Sequence, residues 1–264
     1  MLNFDYHRPQ SLADAASLLA AKPEGKALAG GQTLVAALKL RLAGPSDLID
    51  LSGVAGLKGI TREGNSLKIG AMTTHAEVAS SSEVKAAIPA LAALASQIGD
   101  RQVRNRGTLG GSLANNDPAA DYPAGVLGLG ATVHTNKRSI TADNFFTGLF
   151  GTALGAGEII TAVSFPIPKR AAYEKFKNQA SRFALVGVFV ADTAGGVRVA
   201  VTGAGESGVF RVPELEAALG KNFSAAAVAG VKVSPASLNS DLHASAEYRA
   251  HLIPVLTGRA AAKT

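Results

Sequence analysis

Two glycine pairs constrain this chain more than any other feature. Gly30-Gly31 follows the small-residue stretch Lys26-Ala27-Leu28-Ala29 and leads into an apolar run at 34–42 with helical spacing. Gly110-Gly111 follows the basic segment Arg101-Gln102-Val103-Arg104-Asn105-Arg106. Lacking a Cβ, glycine lets the backbone approach a ligand and take positive φ, and a turn that opens a helix presents N–H groups to phosphate oxygens. Two such turns about 80 positions apart suit a ligand with two phosphates, and Thr33, Thr108 and Ser112 set hydroxyl donors beside the amides. A dinucleotide is the economical ligand. The competing reading is a pair of plain tight turns, since the chain holds 29 glycines and a single glycine motif is weak.

The common nucleotide motifs are missing. No G-x-G-x-x-G follows the first strand and no G-x-x-x-x-G-K-[ST] occurs, which disfavours a Rossmann site and a P-loop. Gly203-Ala204-Gly205-Glu206-Ser207-Gly208 lacks the second glycine of a nucleophile elbow, so hydrolase chemistry has no support. There are no cysteines, which excludes disulfides, zinc thiolates and iron–sulfur ligation within this chain. His7, His75, His134, His243 and His251 lack metal-ligand spacing and read as surface or capping groups.

With 47% apolar and 17% charged residues, the 264 residues describe one large or two moderate globular domains. The net charge of +6 comes from scattered Lys and Arg with only 5% aromatics, so the stripe of a nucleic-acid binder is absent. The start Met1-Leu2-Asn3-Phe4-Asp5-Tyr6 does not read as a secretory signal, and no uncharged apolar run of ~18 residues suggests a membrane span. A soluble, cytoplasmic chain is the expectation.

Strands are expected at 4–7, 26–29 and 47–51, with a helix capped by Ser11 and another over 34–42. A hairpin pairs 57–60 with 66–69, helices start near Thr73 and at 88–96, and further strands fall at 131–135, 138–141 and 158–165. Pro166 and Pro168 break the pattern. Beyond them come a strand at 173–177, a hairpin of 185–192 with 196–202, and helices at 214–219 and 245–256. A domain boundary near 170 follows.

Ala29-Gly30-Gly31-Gln32-Thr33 and Thr108-Leu109-Gly110-Gly111-Ser112 resemble the paired FAD loops of molybdenum hydroxylase flavoprotein subunits, of the carbon monoxide dehydrogenase and xanthine dehydrogenase type. The resemblance extends through Asp100–Gly107, Asn116-Asp117-Pro118-Ala119-Ala120-Asp121, and Asp241-Leu242-His243-Ala244-Ser245-Ala246-Glu247-Tyr248-Arg249, in order and over nearly the whole chain. It implies an α+β, vanillyl-alcohol-oxidase-type (PCMH-type) FAD-binding fold. Two α/β subdomains, about 1–55 and 56–170, would precede a C-terminal α+β domain at 171–264 with a small antiparallel sheet.

The resemblance also implies the site. FAD contacts fall on Ala29, Gly30, Gly31, Gln32, Thr33 and Leu34, and on Thr108, Gly110, Gly111, Ser112 and Asn115. Asp121 matches an acid that binds ribityl or ribose hydroxyls, or else caps a helix or turn. Ile98 and Ile159 or Ile160 match apolar contacts or plain core positions, and Lys177 matches a lysine near the flavin. Gln32 replaces a His found in some carbon monoxide dehydrogenase subunits, which weighs slightly against carbon monoxide as substrate. Such subunits pass electrons from the 2Fe-2S clusters of a small subunit to an external acceptor, while a large subunit holds the molybdenum cofactor, usually in a dimer of heterotrimers. Part of 100–106 is then expected at the partner surface. The alternatives are a stand-alone FAD-dependent oxidoreductase of the same fold and a non-enzymatic scaffold subunit.

Overall fold

A computed structural model describes all 264 residues. The chain opens with β1 (Asp5–His7), α1 (Leu12–Ala21), β2 (Lys26–Leu28), α2 (Leu34–Lys39) and β3 (Asp47–Asp50). The strands form a parallel sheet in the order β1-β3-β2. Parallel pairing requires crossovers, and the two helices supply them. Ser11 caps α1 by accepting from the Asp14 amide at 3.1 Å. α2 stops short of the expected Leu42 because Leu40 and Leu42 face solvent, 70% and 79% exposed, and Arg41 turns to φ 58°. No apolar burial pulls that last turn into a helix.

A second unit follows: β4 (Ile60–Glu63), β5 (Ser66–Gly70), α3 (His75–Ser80), α4 (Ser82–Ala87), α5 (Pro89–Ser96), α6 (Arg101–Arg106), α7 (Leu109–Asn115), α8 (Tyr122–Gly128), β6 (Thr132–Thr135), β7 (Ser139–Thr141), α9 (Ala142–Phe145), β8 (Phe146–Gly148), β9 (Gly151–Thr152) and β10 (Ile160–Pro166). Five strands pair antiparallel in the order β4-β5-β10-β6-β7. The first hairpin strand begins at Ile60 rather than 57, because Leu57 is drawn into the core of the N-terminal unit and Gly59 takes φ 132°. Thr74 and Glu77 form a capping box at α3. Thirty buried residues pack the helices on this sheet.

The N-terminal core is small and not self-contained. Ala15, Ile49, Leu51, Val54 and Leu57 close only with Ile159, which arrives from the start of β10.

The last part is a meander of β11 (Arg170–Lys177), β12 (Ala184–Thr193), β13 (Gly196–Thr202) and β14 (Phe210–Arg211), followed by α10 (Pro213–Lys221), α11 (Ala225–Val228) and α12 (Ala246–Ala262). Val186, Val188 and Val190 of β12 enter a core with α10 and α12, while Phe189 and Ala191 enter the core of the second unit. Burial on both faces explains why 184–191 is almost uniformly apolar. No helix is long and apolar enough to cross a membrane.

Candidate flavin site

The two glycine segments, far apart in sequence, touch. A Cβ on Gly30 would stand 2.1 Å from the Arg106 carbonyl oxygen and 2.8 Å from the Gly107 Cα, and a Cβ on Gly111 would meet the Ala29 Cβ at 3.5 Å. Gly31 has φ 73°, the left-handed region that glycine alone enters without cost. From Ala29 to Leu34, six consecutive backbone N–H groups donate to nothing in the chain. The Thr33 side chain makes no capping bond, and Gln32 is exposed, bonding only to the Gly30 carbonyl.

The second segment departs from the sequence expectation of a glycine turn with free amides. Gly110 and Gly111 lie in the first turn of α7, neither at positive φ. The Leu109 amide donates to the Thr73 carbonyl, Gly110 to Ala71, Gly111 to Thr108 Oγ1 and Ser112 to the Thr108 carbonyl. Docking against Ala71 and Thr73 takes the first two donors and the Thr108 cap takes the other two, and Gly110 is glycine for fit: a Cβ there would sit 2.6 Å from the Ala71 Cβ. What remains for a ligand is the Thr108 amide and the half-buried Ser112 hydroxyl, neither of which has a partner. Asn115 is half-buried in the last turn of α7.

Arg104 does not share the exposure of its basic neighbours. It turns inward and donates from Nη1 to the Ile98 and Gly99 carbonyls, both at 3.0 Å, while Arg101 and Arg106 are exposed. Ile98, half-buried, packs on the main core. Ile159 and Ile160 are 4% and 5% exposed and pack into two different cores. Lys177 is exposed at the end of β11.

Asp121 is 4% exposed and does not cap α8. Its carboxylate accepts from the Tyr173 hydroxyl at 2.5 Å and from Lys175 Nζ at 2.9 Å, and Lys175 also reaches the Gln97 carbonyl at 3.2 Å. Burial pushes the Asp121 pKa up, while the Lys175 charge and the Tyr173 bond pull it back. A carboxylate offers about four lone-pair sites, so a ligand hydroxyl has to reach it alongside these two donors. Sequence reasoning missed Lys175 and Tyr173. The signal was period two: both share the face of β11 that meets the second unit, where a lysine needs a partner.

His75 also contradicts its sequence reading as a surface or capping group. It is 5% exposed, its ring stands 5.3 Å from that of Tyr122, and Nδ1 has no partner. It sits directly under the second segment, where a Cβ on Gly107 would come 2.5 Å from its Nε2. Burial, helped by the Arg104 charge, pulls its pKa down to about 4. The unfolded value is about 6.5, so the folded chain holds the neutral ring and its stability is complete above that pH. As pH falls from about 6.5 toward 4 the unfolded state binds the proton first, and on the order of 3 kcal/mol is lost. Urea midpoints from pH 7 to 4 are therefore expected to fall more steeply for the wild type than for His75→Gln; equal slopes would contradict the assignment.

These features fit a diphosphate: the unpaired amides of 29–34 and Thr108, a cradle that Cβ atoms would fill, and hydroxyls at Thr33 and Ser112. Set between the N-terminal parallel sheet and the five-stranded antiparallel sheet, they define a nucleotide-binding protein. The family described as the FAD binding domain in molybdopterin dehydrogenase matches residues 2–168. The chain is 40% identical to the nicotine 6-hydroxylase medium subunit of Paenarthrobacter nicotinovorans, over 96% of this chain and 94% of that one. It is 35% identical to the carbon monoxide dehydrogenase medium chain of Afipia carboxidovorans, over 98% and 95%. The crystal structure of cyanide-inactivated Cu,Mo-CO dehydrogenase superposes with a TM-score of 0.90 at 33% identity, covering 100% of both chains. The chain belongs to the FAD-binding medium-subunit family of the molybdenum hydroxylases, with their PCMH-type fold, and is an oxidoreductase subunit.

Proposed function

We propose that this chain seats the FAD pyrophosphate between the free amides of 29–34 and the Thr108 and Ser112 donors, and serves the last electron-transfer step of a molybdenum-containing hydroxylase. The observation that carries the reading is the run of six unpaired amides held against the second glycine segment. When bound, FAD supplies the redox chemistry of its isoalloxazine ring. The chain's own residues bind and orient it. Gln32, Leu34, Asn115 and Ile98 border the seat, Asp121 offers lone pairs to a hydroxyl, and Lys177 is the exposed cation of β11. Residues 1–170 form the FAD-binding part, divided near 55, and 171–264 a separate domain.

In this reading the partners are a large molybdenum-cofactor subunit and a small 2Fe-2S subunit, arranged as a dimer of heterotrimers in the cytoplasm. Arg101 and Arg106, exposed beside the first glycine loop, belong to the surface that meets the iron–sulfur subunit. The test is the absorbance spectrum of the purified chain, with the heat-released flavin identified by chromatography. About one FAD per chain is the expected result; a colourless chain that refuses added FAD overturns the reading.

A further inference from the structure

One groove lies in the C-terminal part, lined by none of the residues of the two glycine loops. It has a volume of about 820 Å³ and runs between the outer face of α12, the end of α11 and the irregular segment 229–235. α12 contributes Glu247, Ala250, His251, Pro254, Val255, Gly258, Arg259 and Ala262, a stripe at helical spacing opposite the face that Leu252, Ile253 and Leu256 bury in the core. Between residues 247 and 262 the helix rises roughly 22 Å, the length of six or seven residues of extended chain.

The opposite wall is bare backbone. The amides of Lys232, Val233 and Ser234 donate to nothing, and the carbonyls of Val231, Lys232 and Val233 accept from nothing. Across the groove, Pro254 has no N–H to give the Ala250 carbonyl. A lipid or small apolar molecule would leave such groups unmatched, whereas an extended peptide carries donors and acceptors at strand spacing. The rim selects charge. Lys232 and Arg259 are exposed and form no ion pair, with His251 beside them, against the single carboxylate of Glu247.

We propose that this groove seats an extended, apolar peptide segment bearing an acidic side chain, supplied by another subunit of the assembly. The proposal rests on the reading of this chain as one subunit of a complex. It places a docking site on the side of the β11–β14 sheet away from α8, separate from the flavin seat.

The test uses the full chain co-expressed with its large and small partner subunits, carrying a photo-crosslinking benzoylphenylalanine at Val255 or, separately, at Lys232. Both positions are expected to capture one short stretch of a partner chain containing Asp or Glu. The charge reversal Arg259→Glu should weaken assembly about tenfold while FAD content stays at the wild-type level. If the complex forms and neither position crosslinks, or the crosslink joins two copies of this chain, the groove proposal is overturned and the subunit reading stands. A chain that binds FAD yet assembles with no partner overturns the reading of a subunit, and the groove's occupant with it.

Discussion

Replacing Gly30 with alanine is expected to cost the chain its flavin. The added methyl would lie 2.1 Å from the Arg106 carbonyl oxygen and 2.7 Å from its carbon, both backbone atoms at the end of α6. Carbon and oxygen atoms rest well over 3 Å apart, so one of the two segments has to move by about 1 Å. Overpacking of this kind costs about 1–3 kcal/mol, and here it opens the contact that holds the free amides of 29–34 beside Thr108 and Ser112. Because each 1.4 kcal/mol is a factor of ten, the Kd for FAD should rise by between about fivefold and about a hundredfold. Titration of FAD into flavin-free chain, followed by quenching of flavin fluorescence, reads this directly. Gly220→Ala is the matched control: nothing stands within 4 Å of a Cβ there, and α10 should gain up to about 1 kcal/mol with FAD binding unchanged. Wild-type affinity in Gly30→Ala would remove the glycine contact from the cofactor seat.

The second large effect belongs to Lys175. Its side chain is 1% exposed and that of Asp121 is 4%, so Lys175→Met leaves a carboxylate buried without its counter-charge. Breaking a buried pair from one side costs about 3–5 kcal/mol. The double variant Lys175→Met/Asp121→Asn removes both charges and should regain most of that loss, as read from urea midpoints. A double variant that shows the sum of two independent losses would deny the pairing. The pH dependence has a definite sign. Without Lys175 the folded Asp121 carboxyl rises further above its unfolded value, so its proton is bound preferentially in the folded state. The deficit of Lys175→Met should therefore be largest near pH 7 and shrink as pH falls toward about 4.

Much of the fold was legible because period and punctuation speak locally. The Ser11 cap, the turn between β12 and β13 and the start of α12 at Ser245 all follow from neighbours in sequence. The short helices α4, α6, α8 and α9 were not, since runs of four to seven residues carry too little periodicity. In the site, the glycine pairs announced themselves, but not the difference between them. Gly31 and the free amides serve an open loop, while Gly110 serves a fit against Ala71, a contact between residues 39 positions apart that no local pattern encodes. The inward turn of Arg104 and the burial of His75 were hidden for the same reason: each is decided by what packs on it.

Ile159 has a consequence for how the protein comes into being. The N-terminal sheet buries five core residues of its own and needs a sixth from more than a hundred positions downstream, with Gly157 lying against Ala16 and Ala20 of α1. On a ribosome delivering about 5–20 residues per second, the first glycine loop has no finished scaffold until the chain has grown past β10. Bringing such distant segments together is slow, because the entropy of closing the long loop is spent before any contact rewards it. The proposed seat for the flavin thus matures only after the first 160 or so residues have been made, and loading follows their synthesis rather than accompanying it.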